Sequence, residues 1–152
     1  MGYTFGVGRE APSFSLADHD GNTITLRQYR GDWMPVIVFF PDGAAETAKQ
    51  LSALSAAAGQ LWGMRGQLVG IVAAGADAVT KLAAKAGGTA FPLIADPEAK
   101  VARAYSAWSA AKKTVVPLVC IVDKSGKIVW AGEGAAALKP AALLEAFKLS
   151  AR

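Results

Sequence analysis

The chain has 152 residues, 53% of them hydrophobic and 18% charged, which is too apolar for disorder and long enough to bury roughly 70% of the surface of the unfolded form. One cysteine and one histidine rule out an internal disulfide and a cysteine or histidine zinc site, so neither metal nor cofactor is expected. A formal charge of +4 is spread thinly. The nearest approach to a basic cluster, Lys112–Lys113, has no interleaved aromatics, and nucleic-acid binding is not expected.

The first ten residues hold no basic segment followed by an apolar one, so no secretory leader is expected. The longest uncharged stretch, Gln50 to Met64, is too short and too polar to span a bilayer. These features predict a cytoplasmic protein with no membrane partner, built as one domain over residues 1–152.

Ser13 to Ala17 and Thr23 to Leu26 alternate in polarity around the turn formers Asp18–Asn22, which predicts an N-terminal β-hairpin turning at Asp20–Gly21. Arg27 to Gly31 reads as one helical turn. Pro35 to Phe40 is a continuous apolar run ended by Pro41, the pattern of a central strand buried on both faces. From about Ala44 to Met64, Leu51, Leu54, Ala58, Leu61 and Trp62 recur three and four apart and predict a helix. Gln67 to Ala73 is a second buried strand, and Ala76 to Ala86 a helix closed by Gly87–Gly88. Phe91 to Ile94 is short and extended.

Asp96 then reads as the N-cap, and Pro97 as the first residue, of a helix running from Glu98 to Ser106. Val115 to Val122 is a third apolar strand, joined through the turn Asp123–Gly126 to a hairpin partner at Lys127–Gly132. A last helix covers Lys139 to Leu149. Strands alternating with helices before a terminal hairpin predict an α/β fold.

Several short motifs recur in order. Val7 to Leu16 fits G-x-x-A-P-x-F-x-L, Asp20 to Leu26 fits D-G-x-x-x-x-L, and Arg30–Gly31 leads into Val36 to Pro41. Phe91 to Pro97 fits F-P-L-L-S-D-P, Val101 to Tyr105 fits V-A-x-A-Y, and Ile121 to Ile128 fits I-D-K-x-G-K-I. On these residues the chain resembles the peroxiredoxin, or AhpC/TSA, group of the thioredoxin-like superfamily. The resemblance implies a central mixed sheet with helices on both faces and an N-terminal hairpin. It also implies thiol-dependent peroxide reduction or thiol–disulfide exchange, with peroxide or a thiol or disulfide protein as partner.

That chemistry needs a thiolate at the start of the helix after the first buried strand, where backbone N–H groups and the helix dipole lower its pKa. The family pattern Pro-x-x-x-Thr-x-x-Cys, counted from Pro41, puts Ala45 at the threonine and Ala48 at the cysteine. A thioredoxin-type Cys-x-x-Cys register puts Ala44 and Thr47 at the two sulfurs. The family's later arginine position falls at or near Pro117, where a proline resembles the cis-proline of thioredoxin-type redoxins.

The resemblance therefore implies a redoxin body whose catalytic pocket has been emptied. Three readings stand: a member without activity that binds an extended peptide between the 42–47 turn and the Val116–Pro117 loop, an unfamiliar use of Cys120, or alanines engineered in place of cysteines. Cys120, in the middle of an apolar strand, is expected to be a buried hydrophobe. His19 is expected to be an exposed turn residue, and Trp33, beside Met34 and Pro35, a candidate for the surface of a homodimer.

Overall fold

The structure is a computed structural model, and it describes residues 6–40 and 45–151. The N-terminal hairpin pairs β1 (Ser15–Ala17) with β2 (Thr23–Thr25), Leu16 opposite Ile24. Gly21 supplies the left-handed backbone of the turn at φ +85°, a conformation that costs a side-chain-bearing residue. A 3-10 turn at Leu26–Tyr29 leads to β3 (Met34–Phe40), then α1 (Ala45–Gly63), β4 (Gly66–Val72), α2 (Ala76–Lys85) and β5 (Leu93–Ala95). α3 (Lys100–Ala104), β6 (Trp108–Ser109), β7 (Thr114–Val115), β8 (Leu118–Val122), β9 (Ile128–Glu133), a second 3-10 turn (Ala135–Leu138) and α4 (Pro140–Ser150) complete the order.

The main sheet has the order β5-β4-β3-β8-β9. β3 lies in its centre, parallel to β4 and antiparallel to β8, and all seven of its residues are buried. Side chains of a strand point alternately to opposite faces, and the core divides accordingly. Val36, Val38 and Phe40, with Val119 and Ile121 of β8, join the cluster that holds Leu51, Leu54 and Leu61 of α1 and Leu143 and Phe147 of α4. Ile37 and Phe39, with Leu118, Cys120 and Val122, join the opposite cluster with Phe14 and Ile24 of the hairpin segment and Val101 of α3. Full burial of each such aliphatic or aromatic side chain contributes about 1.5–3 kcal/mol.

Three expectations are corrected. The predicted helix from Glu98 to Ser106 shrinks to five residues, because Ala99 takes a left-handed φ of 55° and a turn intervenes after Pro97. Asp96 still caps it, from further off: Oδ2 accepts the N–H groups of Val101 at 3.1 Å and Ala102 at 3.0 Å. The strand predicted over Val115–Val122 is broken, since Pro117 has no N–H to give a ladder, and Val116 N donates to Ala107 O instead. The freed Thr114–Val115 pairs with Trp108–Ser109 in a small hairpin that the sequence reading missed. Trp62 turns outward and is 61% exposed, since it lies one residue beyond the buried stripe of α1. Its ring rests 5.5 Å from that of half-buried Trp33, over which the Arg65 guanidinium also lies, 5.4 Å from the ring centre.

Candidate functional site

β3 delivers the chain to α1 at one end of the sheet, and the register places the later loop beside it. Leu118 pairs with Phe39, so Pro117, one residue earlier, lies beside the last residue of β3, Phe40. Pro41 and Ala44 fall outside the described residues. α1 begins at Ala45, and Thr47 and Ala48, in its first turn, are 1% and 7% exposed.

The sulfur position of the peroxiredoxin register is therefore a methyl group packed in the same cluster as Leu51 and Phe40. Neither the methyl of Ala48 nor the hydroxyl of Thr47 is a thiolate, and no sulfur stands at the described positions of either register. The arginine position holds the half-buried Pro117, which brings no charge to polarise a peroxide.

The Val116–Pro117 bond is trans, as is every described peptide bond. The loop's backbone is also committed internally: Val116 N–H goes to Ala107 O, and Pro117 O accepts from Gly134 N, each at 2.8 Å. A thioredoxin-type groove needs these groups free to pair with an extended peptide.

Cys120 lies in the middle of β8, between Ile37 on β3 and Ala131 on β9. It is 1% exposed, and burial pushes its thiol up to about 12, since a thiolate loses its hydration in apolar surroundings. Its neighbour Tyr105 is raised by burial and then by Cys120. Tyr105 stacks 5.2 Å from Phe39 and donates its hydroxyl to Pro12 O at 2.7 Å. The sequence reading matched Tyr105 to a motif without giving it a task; its task in the structure is to tie the segment before β1 to α3.

Sheet alternation separates the two positions that matter. Ala48 belongs to the α1 side of the sheet and Cys120 to the hairpin side, so the one cysteine of the chain lies on the sheet face opposite Ala48.

His19 is not the exposed turn residue expected. Its side chain is 16% exposed, and Nδ1 accepts the N–H of Leu93 at 3.3 Å, so the ring fastens the hairpin to edge strand β5, where Asp18 also bridges Ile94. Asp18, His19 and Asp20 bring three donor atoms within 4.8 Å of one another, a grouping the sequence reading passed over. Nε2 lies 3.5 Å from both Asp20 Oδ2 and Thr89 Oγ1, so both ring nitrogens have protein neighbours.

No helix among the described residues is long and apolar enough to cross a membrane. The structure of peroxiredoxin Q from Xanthomonas campestris superposes with a TM-score of 0.80 at 22% identity, covering 91% of this chain and 92% of that one, which shows the thioredoxin-like fold. A Mycobacterium tuberculosis protein whose name places it among the peroxiredoxins is 36% identical over 132 residues, covering 80% of this chain and 81% of its own length. Alkyl hydroperoxide reductase E of the same organism is 29% identical over 136 residues, covering 82% and 83%. The model of the AhpC/TSA family matches residues 7–131, and the chain belongs to that family.

Proposed function

We propose that this chain is an AhpC/TSA-family protein without thiol peroxidase activity. The family reaction begins when a thiolate attacks one peroxide oxygen. The O–O bond breaks, hydroxide or an alkoxide leaves, and a sulfenic acid remains on the sulfur for a second thiol to reduce. Ala48 has no lone pair with which to begin. The observation that carries the reading is the position of the chain's one thiol: Cys120 is buried at mid-strand on the sheet face opposite α1. Peroxide and a thiol reductant, the partners of the family chemistry, are accordingly not turned over by the chain as it stands.

The alternative, a module that pairs with an extended peptide through the Val116–Pro117 loop, is less well supported, because the loop's N–H and C=O already serve Ala107 and Gly134. The test is hydrogen peroxide consumption by the reduced protein with excess dithiothreitol, run beside a Cys120→Ala variant. We expect both proteins to match the buffer rate. Turnover in the native chain that disappears in Cys120→Ala would overturn the reading.

A further inference from the structure

A second pocket lies on the hairpin side of the molecule, between the segment at Ser13–Leu16 and the start of α3, with a volume of about 350 Å³. That is room for about ten waters, or for a one-ring organic molecule. Its apolar walls are Phe14, Leu16, Val101 and Ala104. Asp96, only 2% exposed, is also part of its lining.

Only one oxygen of the Asp96 carboxylate is used. Oδ2 takes the N–H groups of Val101 and Ala102, while Oδ1 has no donor among the described residues and is not sealed away from solvent. The nearest cation of the lining, Lys100, is held by Glu98 at 3.3 Å and leaves Asp96 unneutralised. Asp96, Glu98 and Lys100 give the pocket one net negative charge in a chain whose formal charge is +4. A buried carboxylate with an open oxygen beside apolar walls selects a donor that carries positive charge and an apolar body.

We propose that this pocket is a binding site for a small organic cation, a primary amine on a single apolar ring or short chain, with the ammonium on Asp96 Oδ1. The site is independent of the absent thiol chemistry. It lies on the opposite side of the sheet from α1, and no residue of the family's peroxide pocket contributes to it.

The test uses three probes of one shape: benzylamine, benzyl alcohol and benzoate. Binding is followed through the amide resonances of Val101 and Ala102 in the full chain. We expect benzylamine to bind in the millimolar range and benzyl alcohol and benzoate at least about tenfold more weakly, the ratio of a charge-assisted to a neutral hydrogen bond. Asp96→Asn keeps an oxygen to cap α3 and is expected to weaken benzylamine about tenfold while leaving benzyl alcohol unchanged. Ala104→Leu, which fills the pocket from the exposed side of α3, keeps the proposal testable should Asp96→Asn fail to fold, and is expected to abolish benzylamine binding. Equal affinity for amine and alcohol, no response to any probe, or an undiminished response to benzylamine in Ala104→Leu would overturn it.

Discussion

The sharpest consequence of the fold concerns the rate at which Cys120 meets a thiol reagent. A rise from an ordinary 9.0 to about 12 leaves the native thiol with about a thousandth of the thiolate of a free cysteine at neutral pH. Access compounds this, because at 1% exposure the sulfur meets a reagent only when the hairpin segment and α3, which cover that face of the sheet, open away from it or the chain unfolds. The native protein is therefore expected to react with iodoacetamide at pH 7.5 at least about 1000-fold more slowly than the same protein in denaturant. Mass spectrometry of quenched samples gives both rates on one molecule. Each kcal/mol by which added denaturant lowers the opening free energy should speed the native reaction about fivefold. A native rate within tenfold of the unfolded one would refute the reasoning, since no buried thiol on a central strand could produce it.

The remaining predictions probe the site and the packing that holds it. Ala48→Cys places a sulfur in the first turn of α1, where the N-terminal dipole favours thiolate, and intact-mass analysis after brief peroxide exposure is expected to show an added oxygen at residue 48 before Cys120 reacts; oxidation of Cys120 first would disprove the register drawn through Pro41. A Cβ at Gly66 would sit 2.7 Å from Cε1 and Cζ of Phe147 and 3.2 Å from Leu61 O. Gly66→Ala should therefore lose about 1–3 kcal/mol in urea unfolding, and an unchanged midpoint would show that the ring can move aside.

The Asp123 carboxyl is pushed up by burial, yet the bonds from the Ser125 side chain and from the N–H groups of Lys127, Ser125 and Gly126 outweigh this and hold it below its ordinary 3.8. The stability from a lowered carboxylate is present above the unfolded value and lost as pH falls through the folded one. Asp123→Asn should therefore be less stable than the native chain at neutral pH, with the difference closing below about pH 3.8. A difference constant across that range in thermal unfolding would refute the assignment.

Much of the sheet was legible because its signals are local. The unbroken apolar run at Val36–Phe40 declares a strand covered on both sides, and Asp20–Gly21 and Asp123–Gly126 declare their turns through residues that tolerate those backbone angles. What escaped depends on pairing. Val115 to Val122 reads as one strand until Val116 is seen giving its N–H to Ala107, a choice made by the Trp108–Val115 hairpin and invisible in composition. His19 reads as a loop residue until Leu93 of β5, 74 residues on, meets its ring, and Trp62 reads as core because a helical period cannot distinguish the last buried position from the first exposed one. At the candidate site, the absence of sulfur from both registers was plain from Ala44, Ala45, Thr47 and Ala48. The face on which Cys120 lies follows only once the β3–β8 register is known.

On the reading proposed above, the same separation explains how the family fold is kept without a thiol at position 48. The motifs that persist are those whose loss would cost stability. Asp96 satisfies two helix N–H groups from a buried position, so removing it leaves buried N–H groups unmatched at about 1–3 kcal/mol each, and Tyr105 ties Pro12 to α3 through a part-buried bond. Position 48 carries no such burden. Alanine is the most favourable helix former, and its methyl fills space beside Leu51 and Phe40 with no polar group to satisfy. A thiolate there adds chemistry and, being charged and partly buried, adds nothing to the fold. Loss of the nucleophile is therefore neutral or favourable to stability, and the comparison of Ala48→Cys with the native chain in urea should show the alanine form at least as stable; a more stable cysteine form would mean that the α1 start holds a partner for sulfur that packing alone does not provide.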